Sequence, residues 1–199
     1  MTYQDEAENR LTEEAYLKTE PASDIRREYI DGRAYPMADS TRNHARITGN
    51  VARHFGIHLE GTPCEAFAVG LRVRVGPDYF YPDVLVDCDS LSGEDAFSTN
   101  PVLIVEVLSR ASRRLDTTTK LVRYRNLPSL QEYVLIETDF ISVHVLRRSN
   151  DWRSAYYYLD DEALFESIGL MLPVEKIYER VDNEELREFR CRRRPSAGQ

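Results

Sequence analysis

Two acids and a scarce lysine carry the chemistry this sequence could perform. Glu106 lies inside Pro101-Val102-Leu103-Ile104-Val105-Glu106-Val107-Leu108, an apolar run of strand length rich in β-branched residues. Burying an unpaired carboxylate costs several kcal/mol or forces it to take up a proton. Glu106 therefore needs a cationic partner, a metal ion or a strand end that opens onto a cleft; the plainer alternative is a strand that stops at Val105 and leaves it wet. Asp83 directly follows Pro82, in the middle of a second strand-like run, Tyr79 to Asp87. Two carboxylates on neighbouring strands can hold a hard divalent cation through oxygen, with waters completing the shell. Such an ion polarises a phosphoryl oxygen and acidifies a bound water, and a nearby lysine can orient that water or stabilise developing charge. Of 26 Lys plus Arg, only Lys18, Lys120 and Lys176 are lysine, which makes Lys120 conspicuous.

The elements that would position these groups can be read around them. Asp31-Gly32 separates two strand-like pieces, a strong hairpin signal. Ser40 is an expected N-cap for one amphipathic helix, in which Ala45, Ile47, Val51, Phe55, His58 and Leu59 recur at helical spacing and Gly61 closes the element. His54 and His58 stand four apart on it, but without a third ligand nearby they read as surface residues. Phe67, Val69, Leu71, Val73 and Val75 alternate with small or basic residues as one strand, Gly76-Pro77-Asp78 turns, and Tyr79 to Asp87 returns. Pro82 cannot donate to a ladder, so it marks an edge or an irregularity. Arg110 to Asn126 reads as a helix with six cations against Asp116, a net +5 in a chain of net charge −8. Glu132 to Glu137, Phe140 to Arg148 and Trp152 to Leu159 follow as strands, and Pro173 to Arg180 has helical character.

A chain of 199 residues, 42% hydrophobic and 30% charged, has the make-up of one soluble domain. The expected division is an arm or short helix over 1–23, one domain over 24–182, and a charged, disordered tail over 183–199. No apolar run approaches membrane-spanning length and the acidic start lacks a signal-peptide pattern, so a cytoplasmic protein with no membrane attachment is expected. Cys64, Cys88 and Cys191 are odd in number and widely spaced, which indicates neither a disulfide framework nor a cysteine zinc site. The net acidity argues against a general nucleic-acid coat protein.

The ordered set Glu28-Tyr29-Ile30-Asp31-Gly32, His44 with Ile47, Tyr81-Pro82-Asp83, Val105-Glu106-Val107-Leu108-Ser109, Asp116 with Lys120 and Tyr124, and Glu132-Tyr133 resembles the PD-(D/E)XK nuclease superfamily. More closely, it resembles the bacterial restriction-endonuclease-like family of the Uma-two type, over roughly residues 27 to 180. The resemblance implies an α/β restriction-endonuclease-like fold, a mixed central β-sheet flanked by α-helices. It implies a metal-dependent endonuclease that hydrolyses phosphodiester bonds of nucleic acid, DNA being the expected substrate. Asp83 and Glu106 would be ligands of Mg2+ or Mn2+. The superfamily's lysine stands two residues after the acid, where this chain has Leu108. Related proteins supply it from the next helix, which points to Lys120. Geometry permits this, because Lys120 would lie about 12 Å along a helix that begins near Ser112, and Glu106 ~10 Å below the end of its strand. The alternative is a simple i,i+4 contact of Lys120 with Asp116. His44 matches a frequent family histidine and is an expected neighbour of the site. Arg33 departs from the family, where an acid is common. Arg113, Arg114 and Arg123 on the basic helix would contact the phosphate backbone, and a homodimer would suit the cutting of two strands. The rival reading is a catalytically inactive nuclease-fold domain that binds nucleic acid or regulates through interaction.

Overall fold

The computed structural model describes residues 10–37, 39–68, 70–89 and 92–193. It begins with α1 (Glu13–Thr19), capped by the Thr12 hydroxyl, and buries Tyr16 completely against Tyr29 and Tyr79. β1 (Arg27–Ile30) and β2 (Arg33–Pro36) form the hairpin expected from Asp31-Gly32. Both loop residues have positive φ, 50° and 81°, as a two-residue turn of this kind requires.

α2 (Arg42–Leu59) is the amphipathic helix, burying Ile47, Thr48, Val51, Phe55 and Leu59 along one stripe. Its cap is Thr41, one residue later than expected, because the Thr41 hydroxyl accepts from the His44 amide while Ser40 turns to the His44 ring. His58 bonds the Ile168 carbonyl, and no three His, Cys, Asp or Glu side chains among the described residues are placed to ligate one metal ion together.

The two alternating runs that follow are each expected as one strand, but each is broken in two. β3 (Glu65–Ala68) and β4 (Arg72–Val75) lie on either side of Gly70, whose φ is +138°. β5 (Asp78–Phe80) and β6 (Val84–Asp87) lie on either side of Tyr81-Pro82-Asp83. The hairpin thus bends at both arms: β4 pairs with β5 in one sheet, and β3 pairs with β6 in another. Period-two alternation persists through such a corner, so it cannot reveal the break. Beyond the bend, Cys64 and Cys88 stand opposite each other, one step past the Glu65–Asp87 pair, and are joined by a disulfide. This corrects the expectation of unpaired cysteines. Spacing along the chain does not encode that register.

β7 (Phe97–Ser98) and β8 (Pro101–Leu108) come next, then a helical run α3, composed of Arg113–Leu115, a π turn over Asp116–Lys120, and Leu121–Tyr124. β9 (Glu132–Glu137) runs parallel to β8, so α3 is the crossover between them. β10 (Val143–Arg147), β11 (Ser154–Tyr157), the hairpin of β12 (Glu162–Phe165) and β13 (Leu170–Pro173), and α4 (Val174–Ile177) complete the body. Where the sequence suggests a tail, α5 (Glu184–Arg193) buries Leu186, and Glu185 accepts the Ile141 amide. Residues 194–199 of that tail lie outside the described residues.

The main sheet has the order β11-β10-β9-β8-β6-β3, and the second β2-β1-β5-β4-β7. On one face of the main sheet Val84, Val86, Leu103, Val105 and Val107 pack under α2. On the other, Leu85, Ile104, Leu108 and Tyr133 pack with Tyr124, Leu127 and the inner side of the second sheet. β8 is buried on both faces, as its unbroken apolar run requires. Glu106 shares the parity of Ile104 and Leu108, so it projects toward α3 and the second sheet.

Candidate active site

The register of β6 on β8 pairs Val86 with Leu103, Leu85 with Ile104 and Val84 with Val105. The next step of that register sets Asp83 opposite Glu106, and residues directly opposite in an antiparallel pair have Cβ atoms about 4.5–5.5 Å apart. The bend at Pro82 ends the ladder at this point, freeing Asp83 from pairing. Its Oδ2 instead accepts the Val107 amide at 2.7 Å, and its Oδ1 lies 3.3 Å from His44 Nε2. Ser40 holds the other ring nitrogen of His44 at 3.0 Å. His44 and Asp83 keep 17% and 14% of their side chains exposed and form the open side of the site.

Behind them the site is closed. Glu106 Oε1 accepts from Lys120 Nζ and from the Tyr124 hydroxyl, both at 3.1 Å. Lys120 Nζ also stands 2.8 Å from Glu28 Oε1 and 3.1 Å from Asp116 Oδ1. The Asp116 contact is an ion pair without hydrogen-bonding geometry, since that oxygen has no hydrogen-bond partner. The i,i+4 contact and the long-range one therefore coexist. None of the side chains of Glu28, Glu106, Asp116 and Lys120 is more than 6% exposed.

Local structure explains how these groups meet. α3 folds back along β8, bringing Lys120 to the height of Glu106, and its π turn falls on the segment Asp116–Lys120. Single π turns often occur at functional positions. The Tyr133 hydroxyl bonds the Asp116 carbonyl at that turn. Glu28 comes from β1, and its Oε1 also accepts the Tyr81 amide at 3.1 Å, tying the corner that carries Asp83 to the lysine.

The electrostatics follow from burial. Desolvation pushes the Glu106 carboxyl well above its ordinary range; Lys120 opposes this, and the charges of Asp116, Asp83 and Glu28 add to it. Lys120 loses solvation too, but the three acids around it outweigh that and hold it protonated. Burial pulls His44 down, yet its bond to Asp83 and that carboxylate's charge raise it overall. Desolvation, followed by the Glu106 charge, drives the Tyr124 hydroxyl up, so it serves as a donor.

The structure brings Asp83, Glu106, Lys120 and His44 together. It adds Glu28, Asp116 and Tyr124, which the sequence offered only as parts of a family pattern. A signal for them existed in Asp116 four residues before a scarce lysine, and in Glu28 within a buried hairpin strand. Arg113, Arg114 and Arg123 are not equivalent. Arg113 pairs with Glu137, and Arg123 pairs with Asp31 at 2.6 Å and with buried Asp78 at 3.0 Å. Arg114 is exposed and makes no ion pair among the described residues.

Comparisons with known proteins bear on family and fold. The Uma2 family model, described as "putative restriction endonuclease", matches residues 13–175. The uncharacterized protein slr1290 of Synechocystis sp. is 32% identical over 174 residues, spanning 85% of this chain and 92% of the relative. A second from the same organism, sll1609, is 36% identical over 132 residues, spanning 64% of this chain and 75% of its own. Among solved structures, a crystal structure of a putative nuclease belonging to DUF820 from Anabaena variabilis superposes with a TM-score of 0.72 at 20% identity. It covers 84% of this chain and 97% of its own, a likeness of fold: a restriction-endonuclease-like mixed sheet flanked by helices. No helix among the described residues is long and apolar enough to cross a membrane.

Proposed function

The chain belongs to the Uma2 family of putative restriction endonucleases, and from that premise we propose that it hydrolyses phosphodiester bonds of nucleic acid with a divalent cation held by Asp83 and Glu106. DNA is the expected substrate. The observation that carries this reading is the charge of the site. Four carboxylates, Glu28, Asp83, Glu106 and Asp116, act on one another around a single ammonium, Lys120, a formal excess of three negative charges with all four ionised and His44 neutral, and this crowding adds to the burial that drives Glu106 up. A divalent cation would offset most of that excess, and Asp83 at the open edge with buried Glu106 behind it suits Mg2+ or Mn2+, which keep several waters and add substrate phosphate oxygens. When bound, the ion supplies Lewis acidity at the phosphoryl oxygen and an acidified water.

The protein's own groups have distinct tasks. The Val107 amide and His44 fix the rotamer of Asp83, the carboxylate that would hold the ion. Lys120 and Tyr124 both donate to Glu106 Oε1 and hold that acid in position. Lys120 stays an ammonium, so it acts by its charge and does not accept a proton. The Glu28 and Asp116 carboxylates aim that charge. The exposed edge at His44 and Asp83 is where a phosphodiester would enter.

The second reading, a domain that binds nucleic acid without turnover, draws on the fact that Lys120 already partly compensates Glu106. The two are separated by incubating the protein with plasmid DNA, single-stranded DNA and RNA in Mg2+ or Mn2+, beside an Asp83→Ala control. Metal-dependent cleavage that the control lacks supports the hydrolase. Binding with no cleavage of any of the three supports the alternative.

A further inference from the structure

The outward face of α2 carries a second basic feature that the catalytic reading does not use. Arg42, Arg46, Gly49 and Arg53 follow one another at spacings of four, three and four, which aligns them on the side opposite the buried Ile47–Val51–Phe55 stripe. Arg42 and Arg46 make no ion pair among the described residues. Like charges one turn apart destabilise a helix, and a cation in the first turn opposes the helix dipole.

A shallow cleft of about 370 Å3 lies along that face, lined by Ala45, Arg46, Gly49, Asn50, Arg53 and Arg180. A Cβ built at Gly49 would meet nothing within 4 Å, so no packing constraint calls for glycine there. Glycine inside an exposed helix is less stable than alanine, and at the floor of a cleft it lets a ligand approach the backbone closely. Arg180 is held in the left-handed region at φ 62°, a conformation that turns after helices normally give to glycine. Asn50 fixes that turn, donating to the carbonyls of Ile177 and Glu179 at 2.9 Å each. Glu179 is the acid among the lining residues and pairs with Arg53 at 2.8 Å. The part-buried Asn50 amide thus braces the turn on which the strained, exposed Arg180 lines the cleft, an arrangement that suits an anionic ligand.

We infer that this cleft is a phosphate-backbone subsite, in which Arg46 and Arg180, with Arg42 one turn beyond the cleft on the same face of α2, hold the nucleic-acid strand that Asp83 and Glu106 act upon. The inference rests on the nucleic-acid reading above. Continuity supports it, because α2 begins beside the open edge of the catalytic site, with His44 3.3 Å from Asp83. Arg53 lies about 13 Å further along the axis than His44 at ~1.5 Å per residue, and on the opposite side of a helix about 10 Å across. A strand rising ~3.4 Å per nucleotide needs at least about five nucleotides to cover both. The strand would pass over the first turn of α2 and lie along its outer face.

The test uses the full chain and a short mixed-sequence duplex in Ca2+ or EDTA, with affinity measured against salt for the unaltered protein, Asp83→Ala, Arg42→Gln/Arg46→Gln and Arg180→Gly. The double variant should weaken binding roughly tenfold and flatten the log–log salt slope by about 1.8, some 0.9 for each phosphate no longer neutralised. Arg180→Gly should flatten it by about 0.9 while raising Tm by roughly 2–4 °C, because glycine relieves the backbone. That opposition of binding and stability is not expected of a solvated surface residue. Asp83→Ala serves only to prevent cleavage during the measurement. If the arginine variants bind as the unaltered protein does, the cleft is only a solvated surface and the inference falls, whatever the outcome for cleavage. If the unaltered protein binds but never cleaves, the hydrolase reading falls and the cleft stands. Binding to phosphatidylserine vesicles but not to duplex overturns the inference.

Discussion

Removing the Lys120 ammonium should cost far more than a surface charge would. Lys120→Met keeps the length of the side chain but leaves Glu28, Glu106 and Asp116 facing one another with side-chain exposures of 6%, 4% and 1%. Breaking a buried ion pair by deleting one partner costs about 3–5 kcal/mol, because the remaining charge stays desolvated and uncompensated. For a domain of this size that is a fall in Tm of roughly 6–20 °C at ~2–4 °C per kcal/mol. Acid should soften the loss. The Glu106 carboxyl already titrates above its ordinary range through burial, and losing Lys120 raises it further. A carboxyl whose folded pKa exceeds its unfolded value stabilises the fold below the unfolded pKa, and that stabilisation is lost as pH rises through the folded pKa. The deficit of Lys120→Met should therefore shrink as pH falls from about 7 toward 5. Thermal melts at both pH values, with Glu106→Gln and the double variant completing a cycle, measure this directly. The cycle should return at least ~1 kcal/mol of coupling, the double variant being less damaged than the sum of the singles. If Lys120→Met melts within about 2 °C of the unaltered protein, the lysine does not hold these acids and the electrostatic picture of the site is wrong.

Three further outcomes are expected. Tyr124→Phe removes a neutral donor from Glu106 and should lower stability by about 1–3 kcal/mol, read by denaturant titration; no change would mean the 3.1 Å contact carries no energy. Arg114→Gln should leave Tm unchanged, whereas Arg123→Gln should lower it, since only the second leaves a buried acid, Asp78, without its cation; equal effects would contradict the ion-pair assignment. Burial, with Arg113 acting in the same sense, depresses the pKa of His144. The stabilisation it contributes is present above the unfolded pKa of about 6.5 and lost as pH falls through the folded value. His144→Gln should flatten the decline of Tm between about pH 7 and 5, and an unchanged profile would place the titration elsewhere.

Much of this arrangement was legible in the chain because it is local. Asp31-Gly32 set a hairpin through backbone preference alone, the stripe Ile47–Val51–Phe55 set α2, and an unbroken apolar run marked β8 as a central strand. What escaped depends on register and on corners. Residues 65–75 alternate cleanly, yet their strand changes sheets at Gly70, and its partner changes at Pro82. Only the folded pair of bends reveals that Asp83 sits at a corner opposite Glu106. The Cys64–Cys88 bridge has the same origin, since it follows from the pairing of Glu65 with Asp87. The convergence of Glu28 and Asp116 on Lys120 needs the second sheet to close over α3, and neither acid stands out in composition. The ion pairs of Arg113 and Arg123 were equally hidden, because their partners Glu137 and Asp78 belong to distant strands.

The claim that Asp83 and Glu106 take a divalent cation is tested most directly by melting the protein with and without Mn2+. A bound ion should raise Tm by roughly 3–6 °C at tenfold excess over its Kd, corresponding to about 1.4 kcal/mol. Glu106→Gln and Asp83→Asn should each abolish most of that rise, while the metal-free Glu106→Gln protein is as stable as the unaltered one or slightly more so. A rise that survives both substitutions, or no rise in the unaltered protein at tens of millimolar metal, would contradict the assignment.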